Sequence, residues 1–151
     1  MPQPLTATPS RGLSGRIRVP GDKSISHRAL ILGALATRTT RITGLLEADD
    51  VLATARAVDA LGAEIAREGD TFAVKGRGVG GLRAPAQALD FGNSGTGSRL
   101  MLGVVAGHAM TADFTGDASL CRRPMGRVLT PLLTMGLRVE GDRSTIPLRV
   151  R

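Results

Sequence analysis

The chain has 151 residues, enough for one compact domain with a hydrophobic core. Its 20 Lys and Arg against 13 Asp and Glu give a formal net charge of +7, which favours anionic partners such as a phosphorylated metabolite or a nucleic acid. With three Phe and neither Trp nor Tyr, it lacks the stacking platforms of a single-strand nucleic-acid binder. One Cys excludes an intrachain disulfide, and with only two His we expect no metal site.

The apolar segments of the chain bear on its cellular location. The longest apolar run, residues 29–36, is too short to span a membrane. The first residues, MPQPLTATPSRG, lack the apolar core of a signal peptide. We therefore expect a soluble cytoplasmic protein.

The first half of the chain predicts the order β-α-β-α-β-β. Asp49 and Asp50 are expected to cap the second helix, and a Glu-Gly-Asp turn at 68–70 to join the last two strands. The six predicted elements are 15–19, 24–36, 39–43, 51–61, 63–67 and 71–75.

The second half repeats this pattern at an offset of about seventy residues, since the Glu-Gly-Asp triplet recurs at 140–142. Its predicted elements are 88–91, 95–107, 110–115, 125–135, 137–140 and 146–150. The sequence therefore predicts an α/β protein, a two-layer α+β fold of two tandem βαβαββ units with mixed sheets. Unit one covers 20–76, a linker 77–87 and unit two 88–151, while 1–19 form an N-terminal extension or strand.

Cationic and small polar residues cluster at the predicted helix starts. Free backbone N–H groups and the helix dipole make such ends attractive to anions. The clusters are Lys23, Ser24 and Arg28; Asn93, Ser94, Gly95, Thr96 and Arg99; and Arg122 with Arg123. Ser24 and Asn93 could instead be simple helix caps, and the arginines could be solvated or pair with Asp22, Asp90 or Asp117. Three clusters, two of them related by the repeat, favour an anion site.

A glycine-rich segment at 76–81 formally matches GxGxxG after a strand. A dinucleotide fingerprint needs a helix to open at that loop, whereas Leu-Arg-Ala-Pro follows here. We therefore predict a linker and no bound dinucleotide.

Four segments of the chain resemble the EPSP synthase family, the 3-phosphoshikimate 1-carboxyvinyltransferases. They are PGDKSISHRALILGALA at 20–36, LLEADDV at 45–51, DFGNSGTGSRL at 90–100 and GDASLCRRPMGRVL at 116–129. The resemblance implies the inside-out α/β barrel fold of the enolpyruvyl transferases. It also implies transfer of enolpyruvyl from phosphoenolpyruvate to the 5-hydroxyl of shikimate 3-phosphate, with release of phosphate and no cofactor, in chorismate and aromatic amino acid biosynthesis.

The resemblance also implies roles for individual residues. Lys23 matches a catalytic lysine that contacts both substrates. Ser24 and Arg28 match binders of shikimate 3-phosphate, and Gly95 and Arg123 match binders of phosphoenolpyruvate. Asn93, Thr96 and Arg99 are expected in the same pocket wall. The inhibitor glyphosate is expected to occupy the phosphoenolpyruvate subsite, where Gly95 keeps the wall small.

Family members have two domains, each built from three copies of the repeated unit. The chain is about a third of their usual length, so the resemblance implies a partial N-terminal domain that needs the C-terminal part. The carboxylates assigned to proton transfer would lie outside this chain, and we expect the chain alone to be inactive. Family members pack the N-terminus on the second domain, so residues 1–19 are expected either to be disordered in this chain or to pair with that domain or a neighbouring chain.

Two other functions remain open from the sequence. One is a relative of the enolpyruvyl transferases that act on UDP-N-acetylglucosamine, although Ser24 and the position of Cys121 argue against it. The other is a non-enzymatic βαβαββ module that binds nucleic acid, which only the net charge supports. We expect no nucleic-acid and no membrane partner.

Overall fold

The computed structural model describes residues 5–9, 11–141 and 144–151. Within these ranges the chain forms four α-helices, one 3-10 helix and six strands in two three-stranded sheets. The bounds in unit one are α1 Lys23–Leu35, β1 Thr39–Thr43, α2 Asp49–Ala60, β2 Glu64–Glu68 and β3 Thr71–Lys75. Those in unit two are β4 Leu89–Asp90, α3 Gly95–Ala106, β5 Ala112–Thr115, the 3-10 helix Leu120–Arg122, α4 Gly126–Thr134 and β6 Leu148–Val150.

The sheet of unit one is antiparallel, with β3 between β1 and β2. Val74 lies opposite Thr40 of β1 and Ile65 of β2, and its side chain is completely buried. Gly69 turns the β2–β3 hairpin with a φ of +64°, a conformation that glycine adopts without steric cost. The hairpin predicted from Glu-Gly-Asp is therefore confirmed.

The sheet of unit two is mixed, because β5 pairs in parallel with β4 and antiparallel with β6. The ring of Phe114 in β5 stacks on the ring of Phe91 with centroids 5.4 Å apart, and both side chains are fully buried. The mixed α/β architecture with helices packed on two small sheets agrees with the predicted fold class.

The two units share one hydrophobic core, because α3 of unit two contacts α1 and α2 of unit one. Leu30 of α1, Val58 of α2 and Met101 of α3 are each no more than 1% exposed. The starts of these three helices are consequently held together at one end of the core.

Several element predictions are wrong. Residues 15–19 form no strand: Ile17 and Val19 are exposed, and no described strand pairs with them. Residues 137–140 form no regular strand, but they do pair with the last residues of the chain as predicted. Arg138 and Arg151 exchange backbone hydrogen bonds at 2.8 and 2.9 Å, Glu140 donates to the backbone oxygen of Arg149 at 2.9 Å, and a bridge joins Val139 to Val150. Asp142 of the second predicted hairpin lies outside the described residues. No helix in the described part of the chain is long and apolar enough to cross a membrane.

The predicted cap of α2 is also wrong. Ala48 occupies the N-cap position without a side-chain hydrogen bond, and Asp49 and Asp50 lie in the first turn. A carboxylate in the first turn still stabilises the helix through its dipole, which explains the acidic start without a cap.

Candidate functional site

A cleft of about 580 Å³ opens where the starts of three helices meet. Lys23 is the first residue of α1, Asp49 of α2 and Gly95 of α3, and all three line the cleft. Four basic residues line it against two acidic ones, namely Lys23, Arg56, Arg99 and Arg123 against Asp49 and Asp50. The helix dipoles and this excess of cations make the cleft attractive to anions.

The start of α1 is fixed by Asp22. Its side-chain Oδ1 accepts a hydrogen bond from the backbone N–H of Ile25 at 2.8 Å, and its backbone oxygen accepts from Ser26 Oγ at 2.7 Å. Ser26 Oγ in turn accepts from the N–H of Leu46, which ties the loop before α2 to α1. Lys23 is therefore presented from a rigid turn, and its Nζ lies 3.1 Å from Oδ2 of Asp50.

His27 lies one turn into α1 and is completely buried behind this ion pair. Its Nδ1 lies 2.8 Å from Oγ1 of Thr54 in α2. Burial lowers the pKa of His27 below its ordinary value of 6.5; Asp50 opposes this effect, while Lys23 and Arg28 add to it.

The start of α3 brings a glycine against two guanidiniums. Ser94 caps the helix by accepting a hydrogen bond from the N–H of Gly97 at 3.2 Å. A β-carbon on Gly95 would lie 2.9 Å from Nη1 of both Arg99 and Arg123. The absence of a side chain at Gly95 therefore lets both arginines lie against the start of the helix.

Backbone and amide oxygens hold these two arginines. Arg99 donates to the backbone oxygens of Gly95 and Pro124, each at 3.0 Å. Arg123 donates from Nη1 to the backbone oxygen of Asn93 at 3.2 Å, and from Nη2 to Asn93 Oδ1. All of these acceptors are neutral, so the contacts orient both cations without neutralising them.

Asn93 connects Arg123 to a carboxylate. Its Nδ2 donates to Oδ2 of Asp117 at 2.7 Å, while Oδ1 of Asp117 accepts from the N–H of Leu120, also at 2.7 Å. The hydrogen bond from Asn93 is the main cause that lowers the pKa of the Asp117 carboxyl below its ordinary value of 3.8. The chain of contacts from Asp117 through Asn93 fixes the guanidinium of Arg123.

The structure brings together most of the residues that the sequence singled out. The cleft is lined by Lys23, Asn93, Gly95, Thr96, Arg99 and Arg123. Ser24 and Arg28 do not line it: both are exposed, and Arg28 donates to the backbone oxygen of Ser24 at 3.0 Å.

The structure does not support the alternative interpretations of these residues as helix caps or as members of ion pairs. Asp22 and Ser94 cap α1 and α3, so Ser24 and Asn93 are not the caps. Within the described residues, the arginines make no ion pair with Asp22, Asp90 or Asp117.

Sequence reasoning missed several residues of the cleft, namely Asp49, Asp50, Arg56, Phe91 and Gly92. By their pattern in the sequence, the adjacent carboxylates after LLEA predict a helix cap rather than part of a cleft. The sequence does contain a signal for them. It predicts a helix start at 49–51, and this start could be grouped with the two that begin near Lys23 and Gly95. No group of three or more His, Cys, Asp and Glu that could hold a metal ion occurs among the residues described.

Comparison with known proteins finds matches to EPSP synthases along nearly the whole chain. Residues 7–151 match the family model of EPSP synthase (3-phosphoshikimate 1-carboxyvinyltransferase). The chain is 66% identical over 148 residues to the 3-phosphoshikimate 1-carboxyvinyltransferase of Parvibaculum lavamentivorans, covering 95% of this chain and 33% of that protein. It is 61% identical over 149 residues to the protein of the same name from Afipia carboxidovorans, covering 97% of this chain and 34% of that protein.

Solved structures give the same result. The EPSP synthase of Acinetobacter baumannii superposes with a TM-score of 0.83 at 43% sequence identity, over 90% of this chain and 31% of that one. The chain thus spans about a third of the length of the relatives it matches. On the family match over nearly all its residues, the chain belongs to the EPSP synthase family.

Proposed function

We propose that this chain is part of a 3-phosphoshikimate 1-carboxyvinyltransferase, which moves enolpyruvyl from phosphoenolpyruvate to the 5-hydroxyl of shikimate 3-phosphate and releases phosphate. The cleft carries the proposal, because it combines Lys23 of unit one with Gly95 and Arg123 of unit two at the starts of three helices. The match to relatives that bear this activity in their names supports it.

Charge in the cleft suits two anionic substrates. Arg99 and Arg123 hydrogen-bond only to neutral oxygens within the described residues, so their positive charges remain available to a ligand. A guanidinium can bind carboxylate or phosphate oxygens through two parallel hydrogen bonds, whereas the ammonium of Lys23 acts as a movable point charge. Phosphoenolpyruvate offers both a carboxylate and a phosphate.

The proposed arrangement places phosphoenolpyruvate between Gly95 and Arg123, with Asn93, Thr96 and Arg99 in the surrounding wall. Shikimate 3-phosphate is proposed to extend from Lys23 toward Ser24 and Arg28 on the exposed turn of α1. Glyphosate would compete for the phosphoenolpyruvate subsite.

The reaction adds the 5-hydroxyl oxygen to C2 of phosphoenolpyruvate and a proton to its methylene carbon. Elimination then removes a proton from the new methyl group and expels phosphate. In this scheme Lys23 contacts both substrates, and its ammonium stabilises negative charge on the leaving phosphate. Preorganised cations in a cleft lower the barrier because they need not reorient during the reaction.

A binding experiment tests the proposal on the chain itself. Shikimate 3-phosphate and phosphoenolpyruvate are titrated while the backbone amide signals of Lys23 and Gly95 are followed by NMR. Saturable shifts are expected, and Lys23→Ala should weaken them. Lys75→Ala is the matched control, because Lys75 pairs with Glu64 at 3.2 Å on the far sheet and does not line the cleft. If neither substrate shifts these signals, the proposal is wrong.

Two further titrations distinguish the alternatives. Shifts with a mixed oligonucleotide alone would favour a nucleic-acid module, and shifts with UDP-N-acetylglucosamine in place of shikimate 3-phosphate would favour the related transferase. Activity is measured as phosphate release from phosphoenolpyruvate plus shikimate 3-phosphate. We expect release from a protein that carries this sequence at the full length of its relatives, and none from the 151-residue chain.

A further inference from the structure

The imidazole of His27 is the one buried side chain with an unsatisfied polar atom in the described part of the molecule. His27 is 0% exposed, and its Nε2 has no hydrogen-bond partner there. Oδ2 of Asp50 lies 4.0 Å from this nitrogen. A buried polar group without a partner destabilises a protein, so such an atom calls for a functional or structural explanation.

The direction of the hydrogen bond with Thr54 decides which ring nitrogen carries the proton. Thr54 Oγ1 lies 2.8 Å from Nδ1 of His27 and 3.5 Å from the backbone oxygen of Asp50. The hydroxyl has one proton to donate, and donation to the closer atom makes Nδ1 the acceptor and leaves the proton of the neutral ring on Nε2. This tautomer places an N–H on the ring nitrogen that lies 4.0 Å from Oδ2 of Asp50, whereas the other places a lone pair there.

Asp50 has one fixed oxygen and one shared oxygen. Oδ1 accepts a hydrogen bond from the N–H of Val51 at 2.9 Å. Oδ2 pairs with Lys23 at 3.1 Å and is also the atom that faces His27. Because an N–H···O bond spans about 2.9 Å, a movement of about 1 Å would let Oδ2 accept from His27.

We propose that His27 is a positioning residue. When Lys23 turns from Asp50 toward an anion in the cleft, the Nε2–H of His27 donates a hydrogen bond to the Asp50 carboxylate in its place. The inference rests on the proposed function of the cleft as an anion site. When Lys23 turns its ammonium toward a ligand, its pair with Asp50 weakens, and this leaves a partly buried carboxylate with one partner fewer. The new hydrogen bond from His27 offsets that loss.

The hydrogen bond from His27 to Asp50 belongs to the ligand-bound state of the cleft. At 4.0 Å the His27–Asp50 contact adds little while Lys23 is held by Asp50, and it shortens only after Lys23 leaves. An interaction that forms only in the bound state stabilises that state alone and therefore raises affinity. His27 should influence anion binding without touching the anion.

Two amide substitutions separate the two nitrogens of the ring. In His27→Gln the side-chain amide nitrogen can occupy the place of Nε2 and donate to Asp50. In His27→Asn the shorter amide replaces Nδ1, so it can reach Thr54 but not Asp50. We expect His27→Asn to weaken the binding of inorganic phosphate to the chain by about tenfold, the order expected for one hydrogen bond to a charged group. His27→Gln should recover most of the affinity.

Imidazole ¹⁵N spectra provide a readout that a purely structural role would not change. In the free chain the spectrum should show a neutral ring with the proton on Nε2, and phosphate should shift the Nε2–H signal as its hydrogen bond to Asp50 shortens. A ring protonated on Nδ1, or an Nε2 signal that phosphate leaves unchanged while the amide of Lys23 shifts, would overturn the proposal. Equal phosphate affinity in His27→Asn and His27→Gln would also overturn it.

The two proposals fail in different ways. If phosphate binds but the two substitutions behave alike, the role of His27 is wrong and the anion site stands. If neither phosphate nor either substrate binds the wild-type chain, the proposed function is wrong, and the role of His27, which presupposes an anion in the cleft, is wrong with it.

Discussion

The α-carbon of Gly95 faces the guanidinium of Arg123, and a β-carbon at Gly95 would lie 2.9 Å from Nη1 of Arg123. That separation is shorter than a non-bonded contact allows. The atom in the way is the end of a flexible side chain, so the arginine can move while the backbone of α3 stays in place. Gly95 therefore controls where the Arg123 cation sits.

We predict that Gly95→Ala weakens phosphoenolpyruvate binding without unfolding the chain. The added methyl group would push Arg123 and Arg99 away from the start of α3, where both currently lie. Loss of well-aligned charged hydrogen bonds should raise the dissociation constant by about tenfold or more. NMR titration gives the constant, and thermal unfolding checks the fold.

Gly103→Ala is the matched control for this substitution. Gly103 lies in the same helix, is exposed, and a β-carbon there would meet nothing within 4 Å. Its substitution should leave phosphoenolpyruvate affinity unchanged. Equal affinity in the Gly95→Ala chain and the wild type would show that Gly95 does not set the position of Arg123.

Asp117 should make the folded state sensitive to acid. Its pKa in the folded chain is lowered, chiefly by the hydrogen bond from Asn93, and so lies below the ordinary value of 3.8. The contribution of Asp117 to stability is therefore complete above pH 3.8 and is lost as the pH falls through the folded-state pKa. We predict that Asp117→Asn destabilises the chain at neutral pH. The difference in the free energy of unfolding between this variant and the wild type should shrink as the pH falls below 3.8 toward the folded-state pKa of Asp117.

Urea unfolding at a series of pH values measures this difference. Asp59→Asn serves as the control, because Asp59 is exposed near the end of α2 and makes no side-chain contact with Asn93. A constant difference between wild type and Asp117→Asn from neutral pH to pH 3 would contradict the prediction.

Local patterns were enough to predict much of the fold and of the cleft. The β-branched run at 39–43 and the glycine turn at 69 predicted β1 and the β2–β3 hairpin within a residue of their observed bounds. The repeat placed Lys23 and Gly95 at equivalent helix starts, and both line the cleft. The strand, the hairpin and each helix start depend on residues that are close in sequence, which explains why they could be predicted.

Features that depend on distant residues were missed. The interpretation of Asp50 as a cap ignored Lys23, which lies 27 residues earlier and meets it only after α1 packs against α2. Residues 15–19 have the alternation of a strand, but a strand also needs a partner, and the exposed side chains of Ile17 and Val19 show that no described element covers them. Alternation alone could not supply that information.

His27 should give the chain a second dependence on pH, at higher values. Because burial lowers its pKa in the folded state, the unfolded chain binds a proton more readily. Stability is therefore complete above pH 6.5 and falls below it, toward the folded-state pKa, by at most about 1.4 kcal/mol per pH unit. We predict that His27→Gln removes this part of the slope between pH 7 and pH 5, measured by urea unfolding.

His108→Gln is the comparison for that measurement. His108 is the other histidine of the chain, and its ring accepts a hydrogen bond from the N–H of Gly80 at 3.1 Å in the linker between the units. If the slope assigned to His27 persists in His27→Gln and disappears in His108→Gln, the acid sensitivity belongs to the linker contact and the prediction is wrong.

Gly97 provides the strictest steric test of how the two units pack. A β-carbon there would lie 2.5 Å from Oγ1 of Thr54 in α2 and 2.7 Å from Oγ of Ser94. Both neighbours are buried and already hydrogen-bonded, so neither can move aside easily. We predict that Gly97→Ala lowers the free energy of unfolding by up to about 2 kcal/mol, because an overpacking cost of about 1–3 kcal/mol outweighs the gain in helix propensity of about 1 kcal/mol.

Urea unfolding of Gly97→Ala and Gly103→Ala compares the same substitution at two positions in one helix. Gly103→Ala should stabilise the chain, since alanine favours the helix and nothing opposes its side chain there. Gly97→Ala should also disturb the Thr54–His27 contact, visible as a change in the imidazole signals of His27. If both substitutions stabilise the chain equally, α2 and α3 do not pack as closely as the structure shows, and the cleft between the units is wider than described.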